Sequence, residues 1–235
     1  MRPQKDDKYY DEVYNKFKHY GLDIDSNKCN GLYRKVIEKL VSDIISSNAM
    51  YYTIVTPRQF GTSFMAVQLM LYYALNYPGS KLMFTSPVYS QASKVFKELM
   101  DGVRGSGVIK KFNGAENSLI FINGSELFFK SVQLADNLRG YSIDYLFCDE
   151  AAVYKEEVFN AVLRPMLTVR GKKCFLFSTP RGKNWFYTTY KKAGENKRYK
   201  SYNMYFLNYY SDRNILKRLI KFLNSAVEQA TWRIY

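Results

Sequence analysis

The chain of 235 residues is long enough for one good-sized domain with a real core, or at most two small ones. Its 47% hydrophobic and 24% charged residues are ordinary globular usage, which excludes wholesale disorder, a long coiled coil and a disulfide-stapled scaffold. The net charge of +14 is unevenly placed: from residue 171 onward 14 Lys and Arg stand against 3 Asp and Glu, a surplus of 11 that suits either a polyanion such as nucleic acid or a solvated basic face.

Residues 1–30 are polar and rich in Tyr and Lys, and are expected to form an N-terminal arm. They lack the apolar run of a secretory signal. The longest apolar stretch, residues 65–75, is far short of the roughly 20 residues of a membrane span, so the chain is expected in a cytoplasm without membrane contact. Leu32, Val36, Ile37, Leu40, Val41, Ile44 and Ile45 fall at helical spacing. Residues 51–56 (YYTIVT) then read as a buried strand, followed by a breaker and a buried helix over 63–76. Residues 81–87 (KLMFTSP) and 89–100 repeat that strand and helix.

Residues 118–122 (SLIFI) and 126–131 (ELFFKS) flank Asn123-Gly124, a hairpin signature. Further short apolar strands are predicted at 144–150 (DYLFCDE), 172–180 (KKCFLFSTP) and 200–206 (KSYNMYF), with helices over 156–163 and 213–229. Strands apolar on both faces and alternating with helices predict an α/β domain: a mainly parallel sheet flanked by helices, with an antiparallel hairpin added. Cys29, Cys148 and Cys174 are too far apart for a ligand pair and are expected to be reduced. The single His19 argues against an imidazole metal site or a Ser/His/Asp triad.

Chemistry therefore rests on backbone amides, hydroxyls, carboxylates and arginines. Thr56-Pro57-Arg58-Gln59-Phe60-Gly61-Thr62-Ser63 lies between a strand and a helix, where a phosphate-binding loop belongs. Of the pattern G-x-x-x-x-G-K-[ST] it keeps Gly61 and Ser63, while Thr56 replaces the first glycine and Thr62 the lysine; a plain strand–turn–helix connection is the competing reading. Asp149-Glu150 ends an apolar strand at the edge where ligands bind in open α/β sheets. In a P-loop nucleotidase the first acid holds Mg²⁺ together with the loop hydroxyl, and the adjacent glutamate activates water. The alternative is a strand terminus that happens to end in acids. Ser178-Thr179-Pro180 delivers hydroxyls to the same edge, able to sense a γ-phosphate.

Together these residues resemble the ATPase domain of the large terminase subunit, the DNA-packaging motor of tailed bacteriophages. Arg58-Gln59-Phe60-Gly61-Thr62-Ser63 is similar to the family's Walker A, with its Arg-Gln pair ahead of Gly-Lys-Ser/Thr. Residues 136–142 (DNLRGYS) running into 144–152 (DYLFCDEAA) are similar to the stretch before and through Walker B. Ser178-Thr179-Pro180-Arg181-Gly182, followed by Trp185-Phe186-Tyr187, resembles its coupling motif.

The resemblance covers roughly residues 30–235 and implies a P-loop NTPase fold of the ASCE/RecA-like kind. It implies an ATP hydrolase with ATP and Mg²⁺ as ligands, in an ATPase domain over 31–235. Its work would be translocation of double-stranded DNA into a procapsid, in a homo-oligomeric ring with portal protein and small terminase subunit, in the cytoplasm of an infected bacterial host. The isolated domain is expected to be monomeric. Roles follow by position: Ser63 and Asp149 for metal, Glu150 as catalytic carboxylate, and Arg58 with loop residues 56–63 for phosphate. Arg34 lies where the family contacts adenine, and Ser178 and Thr179 in the coupling motif. Arg139 stands as an arginine finger or, equally, as a surface salt-bridge partner. Arg181, Lys183, Lys191 and Lys192 are candidate DNA contacts or a solvated face.

Two departures stand out. The Walker A lysine is Thr62, for which Arg58 is the substitute in the loop. Beyond residue 171 the acids are only Glu195, Asp212 and Glu228, so no nuclease domain and no cleavage activity are expected. Rival readings are a non-hydrolysing nucleotide- or DNA-binding assembly module, favoured by the missing lysine, and a helicase-like translocase, which needs a second lobe.

Overall fold

The computed structural model describes residues 40–204 apart from 42 and 59. The arm over 1–30, Arg34, most of the helix expected over 32–45, Gln59, the end of the strand expected over 200–206 and the closing helix over 213–229 lie outside the described residues.

Eight strands form one sheet: β1 (Tyr51–Val55), β2 (Lys81–Ser86), β3 (Ile109–Asn113), β4 (Ser118–Phe121), β5 (Glu126–Ser131), β6 (Tyr145–Cys148), β7 (Lys173–Ser178) and β8 (Tyr199–Asn203). Their order is β3-β4-β5-β2-β6-β7-β1-β8. All neighbours from β5 to β8 pair in parallel, and only β4 runs against the rest. Strand side chains alternate between two apolar layers. Tyr52, Ile54, Leu82, Phe84, Tyr145, Phe147, Phe175 and Phe177 enter one, and Tyr51, Val55, Met83, Leu146, Cys148, Cys174 and Leu176 the other. Both faces are covered, which is why these strands read as continuous apolar runs.

The first layer is covered by residues 40–46, which are helical where described, and by α1 (Thr62–Asn76) and α2 (Tyr89–Val103). In α2 the buried positions Ala92, Val95, Phe96, Leu99, Met100 and Val103 repeat at three and four, so one stripe faces the sheet. Phe175 stacks between Tyr52 (5.1 Å) and Phe147 (4.7 Å), which explains much of the aromatic content as core. The second layer lies under residues 135–167 and α4 (Trp185–Lys191). Among the described residues no helix is long and apolar enough to cross a membrane.

Three elements differ from the sequence reading. β3 (IKKFN) is an exposed edge strand without apolar alternation, bulged between Ile109 and Lys111 where it meets β4, so periodicity does not reveal it. The helix expected over 156–163 is α-helical only as α3 (Glu156–Val158); it widens to a π-helix over Phe159–Leu163 and tightens to a 3₁₀ turn over Arg164–Leu167 containing Pro165. Strand ends are also shorter than the apolar runs, because Asp149-Glu150 and Thr179-Pro180 already belong to loops.

The edge where the strands begin is pinned by charge. Asp144, only 5% exposed, accepts from the Arg170 guanidinium (2.8 Å) and the Lys81 backbone N–H (2.8 Å), with Lys172 at 3.7 Å. Nearby, Lys173 donates to the carbonyl of Ser47 (2.6 Å) and the hydroxyl of Tyr52 (2.6 Å), placing a cation where the helix over 40–46 ends. Burial, with Lys200 adding repulsion, pushes its pKa down to about 8. Replacing Asp144 with Ala strands the Lys81 N–H and leaves Arg170 only the Gly79 carbonyl (3.1 Å). It should lower stability by about 1–3 kcal/mol, read as a lower denaturant midpoint at unchanged slope.

Candidate active site

β1 and β6 are not neighbours: β7 lies between them, and all three run the same way, so their exits open on one edge. The ladder continues one residue past β1, where the Thr56 N–H donates to the Ser178 carbonyl (3.0 Å), and Thr56 is buried. Pro57 and Arg58 then turn outward. Arg58 is exposed, with no hydrogen bond or ion pair among the described residues. Phe60 returns into the core at 6% exposure and anchors the loop as an apolar plug.

Gly61 precedes α1 with φ +88, a left-handed conformation that a side chain would strain. No side chain caps α1, and its first turn carries no acid. The N–H groups at that end are thus left for an external acceptor, with the positive end of the helix behind them.

Thr62 and Ser63 open α1, and here the two motifs meet. Ser63 Oγ donates to Asp149 Oδ2 at 2.7 Å, across the width of β7. Asp149 is fixed by its own N–H, which donates to the Thr85 carbonyl (2.9 Å) on β2. Burial holds its carboxyl above the usual aspartate range; the Ser63 bond opposes that rise and the neighbouring Glu150 charge adds to it. Glu150 is exposed, at φ +50, a left-handed backbone rare for a non-glycine residue. Its N–H donates to Asp149 Oδ1 (3.1 Å), and Gln91 Nε2 of α2 donates to its Oε1 at a long 3.5 Å.

Two hydroxyls support this edge from within. Ser178 Oγ accepts the Ala152 N–H (3.2 Å), so it braces the turn that follows Glu150. Thr179 is half-buried beside it. The fully buried Tyr154 donates from its hydroxyl to Thr85 Oγ1 (3.2 Å), and burial raises its pKa.

The other candidates lie elsewhere. Arg139 Nε donates to Asp136 Oδ1 (2.8 Å) and Nη1 to the Ala161 carbonyl (3.3 Å); it is 57% exposed and bonds to none of Ser63, Asp149 and Glu150. Arg181 and Lys183 are exposed in the loop before α4. Lys191 and Lys192 are exposed at the helix's far end, about 10 Å away at 1.5 Å per residue, so these four cations form two pairs rather than one patch.

The sequence reading missed Gln91, Asn184 and Tyr154. Gln91 has no motif, only its place just beyond the exit of β2. Asn184 did carry a signal, an Asn directly before an apolar helical run, which is an N-cap pattern. Among the described residues no three His, Cys, Asp or Glu side chains group to hold a metal. The Ser63–Asp149 pair, one hydroxyl and one carboxylate, suits Mg²⁺ taking its remaining ligands from water and phosphate.

Comparison with known proteins places this arrangement. The family model "Terminase large subunit, T4likevirus-type, N-terminal" matches residues 53–228. The large terminase subunit of Escherichia phage T5 is 31% identical over 139 residues, covering 58% of this chain and 32% of that protein. That of Thermus phage G20c is 28% identical over 149 residues, covering 55% and 31%. The chain thus spans about a third of the length of these relatives.

Among solved structures, the large terminase ATPase domain of Thermus phage P74-26 matches with TM-score 0.63 at 23% identity, covering 86% of both chains. The large terminase of bacteriophage D6E in complex with ATP-gamma-S matches with TM-score 0.56 at 17% identity, covering 82% of this chain and 49% of that one. These likenesses show the fold, a P-loop domain of the ASCE kind. Since the matched residues run from β1 through both motif-bearing loops and past β8, the chain belongs to the terminase large subunit family, in its T4likevirus-type N-terminal region.

Proposed function

We propose that this chain is an Mg²⁺-dependent ATPase domain that drives double-stranded DNA into a procapsid as part of a larger terminase. One observation carries the reading: Ser63 Oγ lies 2.7 Å from Asp149 Oδ2, directly beside Glu150 and the uncapped start of α1. The D6E complex with ATP-gamma-S supports nucleotide binding by a domain of this fold. Ser63 and Asp149 would hold Mg²⁺, which when bound neutralises charge on the β- and γ-phosphates. The N–H groups at the start of α1 and the Arg58 guanidinium cradle phosphate oxygens. Arg58 is free to swing, since no described partner holds it.

Glu150 is the general base, taking a proton from the attacking water. Gln91 orients its carboxylate by donating to Oε1. Thr179 and the braced Ser178 occupy the coupling position. Arg139 can reach a neighbouring copy's nucleotide once freed from Asp136. Arg34 is assigned to the adenine, and Arg181, Lys183, Lys191 and Lys192 to DNA phosphates, where they give salt-sensitive, sequence-independent binding. Portal protein and the small subunit are the partners, in a homo-oligomeric ring at the procapsid of an infected bacterial cell. A non-hydrolysing module remains the second reading, because Thr62 stands where the loop lysine belongs.

Turnover of labelled ATP by chain that demonstrably binds it separates these readings. In Glu150→Gln, nucleotide affinity should persist while turnover falls by about 10²–10⁴; unchanged turnover removes Glu150 from the mechanism, and absent turnover in the native chain favours the module. Arg58→Ala should weaken nucleotide binding roughly 10- to 100-fold, the scale of a lost charge-assisted hydrogen bond, whereas Thr62→Ala should have little effect in the same titration.

The pH dependence follows from Asp149. Burial holds its carboxyl above the usual aspartate range, and it must ionise to accept a cation. A raised acid pKa favours the protonated fold at low pH, and that contribution is lost as pH rises through the raised value. Mg²⁺ with ATP should therefore raise the thermal midpoint strongly near pH 7, and the gain should shrink on acidification at a pH above the ordinary value of about 3.9. Calorimetry across that range checks it.

A further inference from the structure

The turn after Glu150 is tied to the end of β7, to the loop after it and to the start of α4. Ser178 Oγ accepts the Ala152 N–H (3.2 Å), Asn184 Nδ2 donates to the Ala152 carbonyl (2.9 Å), and Trp185 Nε1 donates to the Tyr154 carbonyl (2.8 Å). Asn184 has a second task. Its Oδ1 accepts the N–H groups of Phe186 (3.1 Å) and Tyr187 (3.3 Å), capping α4. One amide therefore grips both the peptide two residues past the catalytic carboxylate and the start of a helix.

The far end of that helix is held separately. Ser201 Oγ on β8 donates to the Tyr190 carbonyl (2.6 Å), which makes a pivot close to Lys191 and Lys192. Between the helix and the segment over 156–164 lies a cavity of about 150 Å³, lined by Phe159, Asn160, Arg164, Trp185, Thr188 and Lys192 among others. This pocket is partly open to solvent and sits beside the Phe159–Trp185 stack (4.7 Å), so a tilt of α4 carries Trp185 across that ring. Upstream, Gly182 at φ +61 lies in the loop joining β7 to the helix. Glu150 holds its own turn in a left-handed conformation, so the turn has a more relaxed backbone state available to it.

We propose that Asn184 is a positioning residue that passes the conformation of the Glu150 turn to α4, so that the helix carrying Lys191 and Lys192 tilts with the state of the nucleotide site. The proposal rests on the nucleotide reading of that site. When the turn relaxes, the Ala152 carbonyl moves and the Asn184 amide follows; because the same side chain caps the helix, α4 is drawn at its start and turns about the Ser201 contact.

Asp at position 184 separates the two tasks: its carboxylate still accepts the helix N–H groups, but it has no proton to donate to Ala152. In a Trp232→Phe background the emission of Trp185 reports this corner alone. Adding Mg²⁺ with ATP-gamma-S should change that emission in the parent. In Asn184→Asp the change should be lost, with nucleotide affinity, followed by anisotropy of a fluorescent ATP analogue, and thermal midpoint retained. Asn184→Ser, a cap too short to reach Ala152, should behave alike and serves if the aspartate variant does not fold. Retention of the full Trp185 change in a folded variant overturns the proposal, as does a parent that binds nucleotide without any change. A parent that binds no nucleotide at all sinks the functional reading itself, and this proposal with it.

Discussion

The whole site depends on a constraint of parallel pairing. Ser63 and Asp149 lie 86 residues apart in the chain and meet at 2.7 Å because β1, β7 and β6 are forced into one direction and one register. Strands buried on both faces leave no other economical arrangement: helices must cover the sheet, crossovers must return each strand to the same side, and every strand exit then opens on the same edge. The reactive groups are consequently not gathered by local design. They are what each exit happens to carry, and the intervening strand contributes Ser178 for the same reason.

The two edges of the sheet divide the labour. Where strands begin, Asp144, Arg170, Lys172 and Lys173 are matched with partners, and the charge there is spent on holding β2, β6 and β7 to the neighbouring chain. Where they end, a half-buried carboxyl, a left-handed glutamate, an uncapped helix and an arginine with no partner among the described residues share one edge. Groups left under-satisfied in a folded protein mark the place where a ligand supplies what is missing.

The order of strands and helices was legible because buried strands of four to six residues write unbroken apolar runs, as in YLFC and KCFLFS. β3 was not legible: an edge strand of IKKFN has no buried face to pattern it. The π-widened turn at Phe159–Leu163 was hidden for another reason, since its apolar spacing is set by packing on Trp185 and not by a regular helix period. In the site, Ser63, Asp149 and Glu150 stood out as residue types at strand exits. Gln91, Asn184 and Tyr154 did not, because their importance lies in which partner the fold brings to them: a carboxylate, a carbonyl, a hydroxyl. Arg139 shows the converse, an arginine whose motif position is clear but whose partners, Asp136 and the Ala161 carbonyl, lie on its own chain.

The strand order also has a bearing on synthesis. β2 finds both its neighbours, β5 and β6, by residue 148, and β4 pairs with β5 across a tight turn, so this half of the sheet can form from sequence already made. β1 pairs only with β7 and β8, which begin at Lys173 and Tyr199. On a ribosome β1 must wait for both of these partners, with its two hydrogen-bonding edges unpaired meanwhile. The loop that follows β1 thus acquires its fixed shape only when nearly all of the described chain has been delivered, and a nascent fragment lacks the finished edge at which Ser63 and Asp149 meet.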